Sequence, residues 1–295
     1  MCKKLKHLLK ILFFVIIYQN LAYSIDIDDG GTTTAKQTFT SADTTLTISN
    51  SSTLRNQLNN MININGQDNG TVIIEAGSTA ETTVDKSNTI NGASASGLTI
   101  TNSGTIISAR SKAINLTDAE DGSLTNNSGG IIQANTNTIS LLNNSGTTNN
   151  MTINNYGTIF ATDDDNDGTN TIKSDDDSTN VTINNFKGGH IYHTSESAVV
   201  VAGGSATLTN SGKIENKDGP SFNAITLSTG GATGATLILK DSGIVIGKIN
   251  ITDSGHTIKV NHGMGQSYYY DTTGGGGYDL EDLDGNIIVK GSVGS

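Results

Sequence analysis

One short phrase keeps returning along this chain, and internal repetition constrains a fold more tightly than any composition does. Leu98-Thr-Ile-Thr-Asn-Ser-Gly-Thr-Ile-Ile107 comes back at Ser123–Ile132, Met151–Phe160, Val181–Ile191, Thr207–Ile214 and Leu237–Ile246. Its turn glycines are Gly104, Gly129, Gly157, Gly188, Gly212 and Gly243, with separations of 25, 28, 31, 24 and 31 residues. A weaker copy, Thr71–Gly77, places its glycine 27 residues before Gly104. Each copy is followed by a second apolar segment: Ala113–Leu116, Thr138–Leu141, Thr171–Lys173, Ala198–Val201, Ala224–Leu227 and Lys248–Ile251.

Within the phrase the alternation has period two, with Leu98 and Ile100 on one face and Thr99 and Thr101 on the other, which is a strand pattern. A β-sandwich supplies turn signals every 8–12 residues or so, but it does not return one phrase at a fixed place. A parallel β-helix does, because each coil adds one rung and equivalent residues stack about 4.8 Å apart. The expected fold is therefore all-β: a right-handed parallel β-helix (solenoid), with the hand taken from the parallel-crossover rule. About seven to nine coils would give a rod on the order of 40 Å long. Apolar columns fill its core, and Asn102, Asn127, Asn155, Asn185 and Asn210 are expected to stack as an amide ladder. Asn and Gly at the turn are read as residues that tolerate positive φ.

Residues 1–24 read as a cleavable signal peptide rather than as part of the fold. Lys3, Lys4, Lys6 and Lys10 precede and enter an apolar stretch, Leu8–Ile17, and Ala22-Tyr23-Ser24 offers small residues before a cut after Ser24. The apolar run is short against the roughly 20 residues that a spanning helix needs. Residues 25–58 are assigned to an N-terminal cap and first coil, 59–265 to the repeats, and 266–295 to a Gly-rich segment read as truncated. Losing the four signal lysines, with no acid among those residues, takes the formal net charge from −11 to −15. Such a chain repels phosphate backbones and anionic lipid, which excludes nucleic acid as a partner class. The one cysteine, Cys2, leaves with the signal, so an exported product would rely on repetitive packing and not on disulfides.

The phrases at 101–106 (Thr-Asn-Ser-Gly-Thr-Ile), 154–159 (Asn-Asn-Tyr-Gly-Thr-Ile) and 209–214 (Thr-Asn-Ser-Gly-Lys-Ile) resemble the coils of bacterial autotransporter (type V secretion) passenger domains. The resemblance covers about residues 45–265. It implies a β-helical rod at the bacterial cell surface or outside the cell, and a C-terminal β-barrel that exports it through the outer membrane. Alternating strands with aromatic girdles are not seen in this sequence. The chain is thus read either as a passenger without its translocator barrel or as a free-standing exported β-helix. The expected partner is a surface glycan or a protein on another cell, and the expected state is monomeric.

Candidate sites are few. Asp163, Asp165, Asp167 and Gly168 match the opening of a calcium loop, in which alternating carboxylates converge on the ion. Ser174 stands at the twelfth position, where a bidentate Glu belongs, so a solvated acidic loop is the competing reading. Chelator leaving the melting temperature unchanged would remove the calcium reading. Gly274–Asp279 reads as a linker, and Tyr268–Tyr270 as either a glycan-stacking patch or a strand near the cap. His190 and His193, then His256 and His262, read as surface histidines with no third ligand to make a zinc site. No cofactor is expected.

Polysaccharide chemistry on such a rod would need paired carboxylates over neighbouring rungs. The acids here fall mostly in loops, arginine is limited to Arg55 and Arg110, and no nucleophile elbow appears. The expectation is a non-catalytic scaffold or adhesin, with a secreted polysaccharide lyase or hydrolase as the alternative. The outward face discriminates: stacked acids beside a groove favour the enzyme, whereas uniform Thr/Ser/Asn ladders favour the scaffold.

Overall fold

The computed structural model describes residues 23–56, 60–83, 87–144, 149–162, 169–228, 234–241, 243–261, 272–273 and 276–282. All strands pair in parallel, in sheets of 11, 9 and 10 strands. No helix occurs among the described residues, and the molecule is a parallel β-solenoid.

Coils 1 to 9 each give one strand in turn to sheets 1, 2 and 3; among the described residues coil 10 gives strands to sheets 1 and 3 and coil 11 to sheet 1. The sheet-1 strands that open coils 1 to 11 are Ser24–Ile27, Thr45–Ile48, Thr71–Ile74, Thr99–Asn102, Ser123–Asn126, Thr152–Asn155, Thr182–Asn185, Thr207–Asn210, Thr236–Leu239, His256–Val260 and Tyr278–Asp282. Register partners on neighbouring sheet-1 strands lie 21 to 30 residues apart. That uneven spacing is absorbed in the loops, while the strands keep their alignment.

The core is columnar. On sheet 1, Leu46, Val72, Ile100, Leu124, Ile153, Ile183, Leu208 and Leu237 succeed one another and are essentially fully buried. Sheet 2 contributes Leu54, Ala80, Ile106, Ile132, Ile159, Ile191 and Ile214. Each buried aliphatic is worth about 1.5–3 kcal/mol, and stacking lets every coil reuse the same arrangement.

The second inward column of sheet 1 changes character along the rod. It starts with Ile48 and Ile74, passes through Asn102, Asn126, Asn155, Asn185 and Asn210, and returns to Leu239. The five amides form a buried ladder. Asn102 Nδ2 donates to Asn126 Oδ1 (2.8 Å), Asn126 to Asn155 (2.9 Å), Asn155 to Asn185 (2.9 Å) and Asn185 to Asn210 (2.8 Å). At the last rung Asn210 Nδ2 donates to the Ile244 carbonyl (3.1 Å). Asn102 Oδ1 faces the apolar coil beneath and has no hydrogen-bond partner.

The ladder exists, but it runs through Asn126 and not Asn127. Coil 5 inserts four residues, Asn127-Ser-Gly-Gly130, between strands where coil 4 inserts only Ser103-Gly104. Aligning on the first glycine shifts the phrase by one. Asn127 lies at the turn, and its Nδ2 donates to Ser103 Oγ (2.8 Å).

The turn glycines serve two purposes: Gly77, Gly129 and Gly188 take the positive φ that the sequence suggests (+82°, +83° and +92°), whereas Gly104, Gly157, Gly212 and Gly243 do not. At the corner between sheets 1 and 2 the equivalent residues are Gly104, Gly130, Gly157, Gly189, Gly212 and Gly243. A Cβ on Gly157 would collide with the carbonyls of Gly130 and Asn127 in the coil beneath. Close approach of backbone to backbone selects glycine there. Positive φ also recurs at the corner from sheet 3 to sheet 1, at Asp43, Asn69, Asp121, Asn150, Asn180 and Ser205. Each lies two residues before an outward Thr or Ser.

Two histidines expected at the surface are buried: His193 at 0% and His256 at 1% exposure. Both occupy inward strand positions, and the ring nitrogen takes a main-chain proton there. His193 Nδ1 accepts from Ser195 N (3.1 Å) and Glu196 N (2.9 Å), and His256 Nδ1 from Ala235 N (3.1 Å). Burial lowers the His256 pKa, against the raising influence of Asp253. His190 is outward-facing, and His262 lies outside the described residues.

Candidate functional site

With the core columns alike from coil to coil, chemical distinction lies on the outer faces. Sheet 1 is uniform. Thr45, Thr71, Thr99, Ser123, Thr152, Thr182, Thr207, Thr236 and Thr257 form an unbroken outward hydroxyl column over nine coils. The parallel column holds Thr47, Ile73, Thr101, Thr125, Asn154, Asn184, Thr209 and Ile238 before reaching Lys259. From coil 2 to coil 9 neither column carries a charge.

Coils 6 to 8 are different on the sheet-2 side. Tyr156 and Phe186, which follow the ladder asparagines, stack with centroids 4.3 Å apart and planes within 2°. Phe160 and Tyr192 stack at 4.7 Å. Lys217 Nζ sits 4.8 Å over the Tyr192 ring, a cation–π contact. Beside it, Glu215 Oε2 takes His190 Nε2 (2.9 Å), Lys213 Nζ (2.8 Å) and Lys217 Nζ (2.6 Å). Burial alone would raise the Glu215 pKa, but the hydrogen bonds and charges of the two lysines outweigh it and hold the group at about 2.

Two concavities flank this band. One, of about 300 Å³, lies at the corner between sheets 2 and 3 on coils 7 and 8, bounded by Glu196, Ser197, Asn216, Asp218, Phe222 and Asn223. The other is a shallower cleft of about 440 Å³ on sheet 3, with Val200 and Thr226 on its floor and Lys173, Asp176 and Thr252 around it. Within that cleft the Ser228 hydroxyl lies 3.3 Å from Asp176 Oδ1 and 3.1 Å from Asp253 Oδ2. Asp175 is committed to structure, accepting from Asn143 N (3.0 Å) and Ser178 Oγ (2.6 Å).

The sequence-derived calcium candidates Asp163, Asp165 and Asp167 lie outside the described residues, as do Tyr268–Tyr270 and residues 1–22 of the segment read as a signal peptide. Among the described residues, no group of three or more His, Cys, Asp or Glu could hold a metal ion. The aromatic band was not read from the sequence. Its rings sit 4 to 36 residues apart, and the available signal was Tyr156 and Phe186 occupying the same place in consecutive copies of the phrase. No family model, curated protein or solved structure matches this chain.

Proposed function

We propose that the chain is an exported, non-catalytic β-helical passenger that serves as a cell-surface scaffold or adhesin. The observation that carries this reading is the uncharged face of sheet 1 over coils 2 to 9, built of Thr, Ser and Asn except at Ile73 and Ile238. A rod that repeats one uncharged face and varies only a few coils is suited to holding a contact surface away from its base. The basic, apolar, small-residue order of residues 1–24 supports export, and the coil phrase supports the passenger resemblance.

A second reading, action on polysaccharide, draws on the sheet-3 cleft. Asp176 and Asp253 approach one hydroxyl there, and carboxylates set across a groove are what glycosidic chemistry requires. Incubating the purified chain with a polysaccharide panel separates the two readings. The scaffold reading expects no release of reducing ends or unsaturated uronides. Release that disappears in Asp176→Asn or Asp253→Asn would establish the enzyme instead.

A further inference from the structure

We propose that the outward face of sheet 1 over coils 2 to 9 is an ice-binding surface, whose threonine columns anchor the water lattice of a growing crystal. This rests on the adhesin part of the reading above and deepens it by naming what the surface holds.

The first argument is spacing. Neighbouring rungs of a parallel sheet lie about 4.8 Å apart, and successive outward positions on one strand about 6.6 Å apart. Thr45-Leu-Thr47, Thr99-Ile-Thr101 and Thr207-Leu-Thr209 put two hydroxyls on one rung, and Thr152-Ile-Asn154 and Thr182-Ile-Asn184 a hydroxyl and an amide. Pairing runs residue to residue from Thr45 to Val260 without a shift, whereas sheet 3 slips between Asn223 and Ile225. The result is a regular net of polar groups, and its two repeats lie close to the oxygen repeats on the prism face of ice. A dissolved ligand has no use for such a net over so many coils; a crystal does.

The second argument is that these groups are free for water. The hydroxyls of Thr45, Thr71, Thr99, Thr152, Thr182 and Thr207 make no hydrogen bond to another protein group, and none of these residues is buried. Threonines elsewhere in the rod are committed: Thr138 donates to the Phe160 carbonyl (2.7 Å) and Thr171 to that of Tyr192 (2.6 Å). A hydroxyl both donates and accepts, as each water of a lattice requires. Threonine is β-branched and keeps few rotamers, so its hydroxyl and methyl are in place beforehand and little ordering cost remains. The amides are fixed as well, with Asn184 Nδ2 donating to Asn154 Oδ1 (3.0 Å).

The third is charge. The chain is 15% charged, yet the two outward columns carry no charged side chain from coil 2 to coil 9, and Lys259 enters only at coil 10. Charged groups hold their own hydration shells against a lattice, so a neutral face fits a neutral solid. A mineral or a charged polysaccharide would call for charge in return. The two concavities described above lie off this face, at the corner of sheets 2 and 3 and on sheet 3. Small dissolved ligands favour such hollows, whereas an extended solid is held by many weak contacts made together.

The test is ice-affinity partitioning of the purified chain, read together with thermal hysteresis and the shape of single ice crystals. The chain should enter slowly growing ice, hold growth over a measurable hysteresis gap and leave crystals bounded by prism faces. Thr182→Tyr puts bulk, and Thr101→Lys a charge, within the face. Each should lower partitioning about tenfold, because the rungs around it no longer engage together. Thr79→Tyr, at an outward position of sheet 2, should not change it. Melting curves of the variants that match the parent exclude unfolding as the cause. Exclusion from ice, an equal loss with Thr79→Tyr, or unaltered partitioning of both sheet-1 variants would overturn the proposal. Adsorption to crystalline cellulose or chitin with exclusion from ice would also overturn it, and would assign the face to a polysaccharide solid. Such a failure leaves the scaffold reading standing, because that reading falls on glycan cleavage or on cytosolic retention.

Discussion

The sheet-1 face and the sheet-2 side of coils 6 to 8 come from the same coils, share one register and rest on the same aliphatic columns, yet their surfaces have almost nothing in common. One repeats threonine; the other gathers Tyr156, Phe160, Phe186, Tyr192 and Phe222, five of the ten aromatic residues that follow Ser24. The difference shows how labour is divided in a solenoid. Inward positions and corner glycines carry the fold, so outward positions can specialise at little cost to stability. Substitutions should therefore sort by direction, with large stability losses inward and binding losses outward.

The largest effect is expected at the sheet-1/sheet-2 corner. Gly157→Ala drives a methyl group into the backbone of coil 5 and should cost about 3 kcal/mol or more. Gly129→Ala, where φ is +83° and the space is open, should cost only about 1 kcal/mol. Equal losses in denaturant titrations would remove close approach as the reason for the corner glycines.

The amide ladder comes next. Asn155→Ala breaks bonds to Asn126 and Asn185 and strands buried polar groups on both sides, for a loss of about 2–4 kcal/mol. Asn102→Ala breaks one rung bond and removes an already unpartnered oxygen, so its loss should be about half as large. A ladder whose end and middle respond alike would not be acting as a ladder.

Acid should weaken the C-terminal coils. His256 has its folded pKa depressed below 6.5 by burial, so the unfolded chain takes up the proton first. The stability is complete above pH 6.5 and declines as pH falls from there to the folded value. His256→Gln should flatten the melting temperature between pH 7.5 and 5. Glu215, held at about 2 against an ordinary 4.5, opens a second window. Its contribution is present above pH 4.5 and is lost toward pH 2. The smallest effect belongs to Thr182→Val on the uniform face, within about 0.5 kcal/mol of the parent by the same titration.

Much of the fold was legible in the sequence because stacking forces like residues to recur: Thr99-Ile-Thr-Asn102 and Thr152-Ile-Asn-Asn155 announce the strand, its faces and its corner. The register at Asn126 was hidden by a turn that varies between two and four residues while keeping the same letters. His193 and His256 escaped for a related reason. A polar residue in an alternating strand looks outward unless its register is known and a backbone proton is available to satisfy its ring. The site was least legible, since Phe160 and Tyr192, or Glu196 and Phe222, become neighbours only when separate coils are stacked.

The central claim is that the outer faces of this rod look out from the cell. Its one cysteine, Cys2, lies in the proposed signal segment and would leave with it, so single introduced cysteines can report on exposure in intact cells. Thr99→Cys on sheet 1 and Ser221→Cys beside the corner cavity should both react with a membrane-impermeant maleimide on unbroken cells, on a chain that begins at Ile25. Labelling only after lysis, on a chain that still carries Met1–Ser24, would contradict it.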